Sequence, residues 1–336
     1  MPATGPGKGK LTQFIKELKG ALQKGAGAAS TIRNYNYAIE RYKRFVRETP
    51  MMSGFKEWPA NPWGLALNLR EIWVEKKSIS SMKTTLNAVK WGHKVEGLDN
   101  PGRAGVVQQT MNAAGIELFE SINRKHVLKE KEIAGIFTEC RREAEAGEIE
   151  GDCTEAMLAQ QYVGIRRISE VLNTRRNYIK FITTGIKGMK IYHKGKTHGR
   201  REGEWTFYKE QTEEGFCPVA IMRRWLDKRG ILYLKKGSPR WGELIYQVKG
   251  KRVTYPWMRR RMIKLFKKVG LNPKLFGTHS VRSGACTAAI ARGLPRWLVK
   301  RQGGWLSEAI DIYIMPSQRE SFKVGDSLAK VLNRKK

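Results

Sequence analysis

Apolar residues recur at helical spacing along most of this 336-residue chain, and one segment breaks the pattern. Between Tyr178 and Glu210, the runs YIKFITT, GMKIYHK and EWTFYKE are rich in Ile, Tyr, Phe, Trp and Thr and are separated by glycine-containing turns. Short β-prone runs with such turns predict a small antiparallel sheet. The expected fold class is therefore mainly α: an N-terminal helical domain, then a mixed α/β domain that carries the sheet.

The helical part divides further. Residues 1–10 are rich in Gly, Pro and Lys and are expected to form a flexible basic tail. From Leu11 the spacing predicts a first helix over 11–24. A second follows, with Ile32, Tyr35, Ile39, Tyr42 and Phe45 on one stripe and Arg33, Arg41 and Arg44 off it. Asn61-Pro62 opens a third. Ser80 or Ser81 leads into a fourth, built on Met82, Leu86, Val89 and Trp91, with Lys83 and Lys90 beside them. A last one covers about 103–122. Residues 11–122 thus read as an all-α bundle, the charged stretch 123–132 as a linker, and 133–336 as the second domain. In that domain a continuous helix is expected over 154–173, with the sequence GIRRISE inside it.

Charge narrows the partner. Lys and Arg total 64 against 31 Asp and Glu, a formal net charge of +33. That excess repels itself in a compact fold unless a polyanion offsets it, and nucleic acid does so by releasing counterions. No window approaches the roughly 20 apolar residues that a membrane span needs. The start, MPATGPGKGK, lacks the apolar core of a secretory signal. Cys140, Cys153, Cys217 and Cys286 are scattered, with no C-x-x-C spacing, so neither a disulfide framework nor a zinc site is expected. No metal and no cofactor are predicted.

The densest chemistry lies in GTHSVRSG, which holds His279 and Arg282 as H-x-x-R, and in the GGW and DIYI that follow, with Trp305 and Tyr313. A tyrosine hydroxyl can attack a phosphate, arginine forks can hold the charge that grows on phosphorus, and a histidine can exchange protons. Arg282 is one fork. GIRRISE offers the other, since Glu170 lies one helical turn after Arg167 and could brace it. Arg166 competes with Arg167. Lys196 in HKGKTHG, or alternatively Lys194, could protonate the leaving oxygen.

In their order and spacing these residues match a family. The chain resembles the tyrosine recombinases of the phage-integrase type along nearly its whole length. GIRRISE corresponds to that family's arginine motif with Arg167, HKGKTHG to its hairpin lysine with Lys196, and GTHSVRSG to its His279 and Arg282. GGW corresponds to its His-or-Trp position with Trp305, and DIYI to its nucleophile, Tyr313. Residues 11–122 resemble the helical core-binding domain. Two departures stand out. GIRRISE has one residue more between Gly and R-x-S-E than the common form, and Trp305 to Tyr313 is eight residues, one short of the common bacterial spacing. The GTHSVRSG and GGW forms are closer to the eukaryotic crypton and DIRS-like mobile-element branch.

The resemblance implies the tyrosine recombinase fold and an enzyme that cleaves and rejoins double-stranded DNA at specific sites through a 3′-phosphotyrosyl link, without metal or ATP. It implies a homo-tetramer on two duplexes, with Arg33, Arg41, Arg44, Lys83 and Lys90 facing DNA. A nuclear location is expected for a eukaryotic mobile element, and a cytoplasmic or nucleoid one otherwise. The rival activities are a type IB topoisomerase-like or telomere-resolvase strand transferase. The rival of another class is a domesticated protein that only binds DNA.

Overall fold

The computed structural model describes residues 29–76, 78–118, 125–183, 185–189, 205–211, 215–305 and 308–313, with scattered positions in 13–20 and 322–330. The helix expected over 11–24 lies largely outside the described residues, as do Lys194 and Lys196. Two compact units divide the chain near residue 123.

The first unit is a bundle of α1 (Ala29–Glu48), α2 (Pro62–Lys76), α3 (Ile79–Glu96) and α4 (Gly105–Glu117). On α1, Ile39, Tyr42 and Val46 are buried and Ile32, Tyr35 and Phe45 half-buried, so the apolar stripe of the sequence is the face that packs on α3. Tyr42, Met52, Leu65, Leu69, Met82 and Val107 form the centre of the core. Helix α3 begins earlier than the sequence suggested. The Ser78 side chain accepts from Ser81 N–H at 3.3 Å, and Gly97 at φ 72° closes the other end. Ser78 thus takes the cap assigned to Ser80 or Ser81, because only it precedes the first helical residue.

The second unit contains α5 (Glu130–Glu145), α6 (Ile149–Val163), α7 (Ile168–Leu172), β1 (Ile179–Ile182), β2 (Gly185–Met189), β3 (Trp205–Lys209) and α8 (Pro218–Lys228). The hairpin strands β4 (Gln247–Val248) and β5 (Lys251–Arg252) follow, then α9 (Tyr255–Lys268), α10 (Thr278–Ala291) and α11 (Arg296–Gly303), and last a 3-10 turn, Glu308–Tyr313. The sheet is antiparallel in the order β1-β2-β3, with Lys180 opposite Lys187 and Ile186 opposite Tyr208. Lys249 and Gly250, both at positive φ, form the two-residue turn between β4 and β5.

Helix α6 is the axle of this unit. Residues 151–161 are all buried, polar ones included. Each buried charge on it is met from a neighbouring helix. Asp152 accepts from Arg224 at 3.0 Å and from Lys228, and Glu155 accepts from Arg141 at 3.0 Å and from Arg224. Buried carboxylates persist only when paired in this way. A second such cluster joins Glu143 of α5 to Arg261 and Lys268 of α9.

Two expectations change. The stretch 123–132 is not uniformly a linker: residues 125–129 run extended on the second unit, with His126 N–H donating to Leu275 O (2.8 Å) and Leu128 buried in the core, and α5 starts at Glu130. The helix expected over 154–173 is broken. It ends at Val163, and Ile165 takes a left-handed φ of 47°, so Arg166 and Arg167 lie in a turn between α6 and α7. A β-branched residue is a genuine outlier there, and the strain marks the turn. Among the described residues no helix is long and apolar enough to cross a membrane.

Candidate active site

The turn after α6 places the two neighbouring arginines differently. Arg167 is the N-cap residue of α7. The Glu170 carboxylate accepts its backbone N–H at 3.0 Å and its Nη1 at 2.9 Å, so one carboxylate closes the helix start and fixes the guanidinium. The Arg167 side chain stays partly exposed. Arg166 turns inward instead. It is 1 % exposed and lines a small internal cavity with Tyr208. Their divergence comes from the break at Gly164–Ile165.

Helix α10 carries H-x-x-R. Gly277 N–H donates to the Ser280 hydroxyl at 3.0 Å at its start, and Gln161 of α6 donates to Thr278 O at 2.8 Å. His279 is exposed on the first turn, and Arg282, one turn on, is wholly buried. The Arg282 guanidinium donates through Nη1 to Ile165 O (2.6 Å) and through Nη2 to Gly303 O (2.9 Å). Its carbon stands 3.8 Å from the centre of a Trp305 ring, within cation–π range. Arg282, on α10, therefore gathers two segments that are distant from each other in sequence: the strained turn two residues before Arg167, and the Gly303-Gly304-Trp305 corner at the end of α11.

That corner follows from its glycines. Gly304, at φ 69°, is the left-handed cap of α11, and it lets Trp305 N–H donate back to Lys300 O at 3.0 Å. Trp305 then packs with Ile165, Ala285, Cys286, Val299 and Ile310 in a small cluster of its own. Ile310 is the buried anchor of the 3-10 turn that Tyr313 ends. The turn is fastened on its outer side by Arg296 to Asp311 (2.8 Å) and by Lys300 to Glu308 (2.5 Å). The Tyr313 side chain lies outside the described residues. Burial pushes the Cys286 thiol up to about 11 while Arg282 beside it pulls the other way, so it stays protonated at neutral pH.

In the first unit, the basic residues singled out from the sequence occupy two packed helices. Arg33 and Arg44 on α1 and Lys83 and Lys90 on α3 are exposed, while Arg41 reaches across to Thr85 at 3.1 Å. Among the described residues no group of three or more His, Cys, Asp or Glu side chains is placed to hold a metal ion. Sequence reasoning missed the carbonyls of Ile165 and Gly303. Backbone oxygens leave no mark in a motif, and the two glycines of GGW were the only hint.

No protein-family model matches the sequence, and no curated protein matches it. Solved structures do match in fold. A XerH site-specific recombinase bound to palindromic difH substrate in a post-cleavage complex is 14% identical, with 89% of this chain and 79% of that chain covered at a TM-score of 0.61. A lambda integrase tetramer bound to a Holliday junction is 13% identical, covering 91% and 77%, TM-score 0.57. The Tn1549 transposon integrase in complex with circular intermediate DNA is 14% identical, covering 85% and 91%, TM-score 0.54. The chain has the tyrosine recombinase fold.

Proposed function

We propose that this chain is a site-specific DNA recombinase, the integrase of a mobile element, with Tyr313 as its nucleophile. The observation that carries the proposal is the seating of Arg282. Two backbone carbonyls and an indole face fix its guanidinium beside the turn that presents Arg167, and Tyr313 follows the same corner eight residues after Trp305. Pre-positioned donors of this kind stabilise the charge of a phosphoryl transition state.

The Tyr313 oxygen forms a bond to phosphorus and the bond to the 5′-oxygen breaks. The tyrosine proton passes to a base, assisted by His279, and the 5′-oxygen takes a proton from Lys196. Arg167, braced by Glu170, and Arg282 neutralise the non-bridging oxygens. Trp305 holds the Arg282 plane. One phosphoester replaces another, so the strand can be resealed by the reverse attack without a nucleotide cofactor.

Double-stranded DNA is the partner, with Arg33, Arg44, Lys83 and Lys90 neutralising phosphates. The working unit is a tetramer on two duplexes, the assembly that the lambda integrase relative forms on a Holliday junction. The GTHSVRSG and GGW forms favour the crypton and DIRS-like branch and, with it, a nuclear site of action. A nicked suicide duplex tests the proposal. The chain should form a denaturant-resistant covalent complex, and Tyr313→Phe should abolish it while DNA binding persists. An adduct that survives in the phenylalanine variant would refute the nucleophile.

A further inference from the structure

Behind the strained turn lies a cavity whose chemistry the proposed reaction does not use. It is lined by Gln160, Arg166, Thr174, Tyr208 and Met222 among others, and its free volume of about 10 Å³ holds a single small particle. Arg166 is 1 % and Tyr208 6 % exposed. Arg166 Nε and Nη2 and the Tyr208 hydroxyl have no hydrogen-bond partner, and no carboxylate lies within 4.0 Å of Arg166, among the described residues. A buried guanidinium without a counter-charge is strongly destabilising.

The neighbouring polar groups are already engaged. The Gln160 amide nitrogen donates to the Thr174 hydroxyl at 2.9 Å, that hydroxyl donates to Glu170 O at 3.3 Å, and Gln160 Oε1 accepts from Tyr246 at 2.6 Å. Burial pushes the Tyr208 hydroxyl up, Arg166 pulls the other way and the Glu170 carboxylate adds to the rise, so it remains a neutral donor rather than a counter-ion. The unmet capacity facing the cavity is two guanidinium N–H groups, which only donate, and the Tyr208 hydroxyl, which donates or accepts. A water there would find at most that one oxygen for its two protons, whereas a monatomic anion accepts from all three groups.

We propose that this cavity binds one halide ion, chloride in practice, held by Arg166 Nε and Nη2 and by the Tyr208 hydroxyl. A DNA phosphate is far too large for it, so the site is separate from the proposed catalytic one. The ion joins β3 to the turn that carries Ile165 and Arg167. Gly164 permits the approach: a methyl there would collide with Gln160 O and stand 2.5 Å from the Tyr208 hydroxyl.

Thermal melting of the full chain without DNA, in sodium chloride or bromide against sodium gluconate at matched ionic strength, tests the site. The melting temperature should rise saturably in the halide salts by about 2–4 °C. Arg166→Met should lose that dependence and Tyr208→Phe should weaken it. Diffraction from wild-type crystals soaked in bromide should show anomalous signal within hydrogen-bond distance of Arg166 Nε, a measurement that needs no variant to fold. Equal melting in halide and gluconate, or an ordinary water in that position, would overturn the proposal.

Discussion

Replacing Gly303 by alanine isolates the contact that holds Arg282. A Cβ on Gly303 would overlap Cζ3 and Cε3 of Trp305 and stand 2.7 Å from its Cη2, so the indole must move. Gly303 is the last residue of α11, where a Gly→Ala change otherwise gains about 1 kcal/mol in helix propensity. Against that gain stand about 1–3 kcal/mol of overpacking and up to about 2 kcal/mol of lost cation–π attraction between Arg282 and Trp305. The net expectation is a loss of about 2 kcal/mol, taking the middle of those ranges.

The decisive form is a double-mutant cycle in urea denaturation. With Trp305→Ala as background there is no ring to strike, so Gly303→Ala should become neutral or stabilising by up to about 1 kcal/mol. The coupling energy should then be about 2–3 kcal/mol. Additive effects of the two changes would show that the indole does not occupy the place described. On the proposed function, Gly303→Ala should also slow covalent-complex formation much more than it weakens DNA binding.

Gly284→Ala should destabilise by about 1–3 kcal/mol because its Cβ would meet the Leu128 carbonyl. Gly115→Ala on α4, with nothing within 4 Å, should instead stabilise by about 0.5–1 kcal/mol. Chemical denaturation of the two variants checks the opposite signs. Burial pushes the Glu143 carboxyl up, but Arg261 and Lys268 outweigh this and hold it below the usual range. A depressed folded pKa gives stability that is present above the unfolded value and lost as pH falls through the folded one. Glu143→Gln should therefore cost about 3–5 kcal/mol at neutral pH. The gap to wild type should begin to shrink as pH falls below about 4 and close below the depressed folded value, and a constant gap across that range would contradict the pairing. Arg167→Ala should stop covalent-complex formation and Arg167→Lys should restore little of it, since an ammonium lacks the planar fork that can bond Glu170 and a phosphate oxygen together. Full activity in either would assign the role elsewhere.

Periodicity carried the architecture because stripes such as Ile39, Tyr42 and Val46 commit a helix to one buried face, and because the three β-prone runs were the only departure. It failed where burial is total. Helix α6 hides Asp152 and Glu155 alongside its apolar residues, and their partners Arg224 and Arg141 come from other helices. The break after Val163 was equally illegible, since nothing about an isoleucine announces a left-handed φ. Hence Arg166 and Arg167 could not be told apart by motif. H-x-x-R was legible as a unit because its spacing is one helical turn. What holds its arginine was not, because the acceptors are carbonyl oxygens.

The two acceptors of Arg282 have a consequence for safety. Ile165 and Gly303 lie 138 positions apart, and neither carbonyl points at the guanidinium until the α6 turn and the end of α11 have both formed. On the proposed reading, a nascent, nicked or partly melted chain still presents a basic surface and can still meet DNA, but its phosphate-binding arginine is unplaced. Competence to cut then arrives only with the finished fold, so a misassembled copy can occupy a chromosome without breaking it.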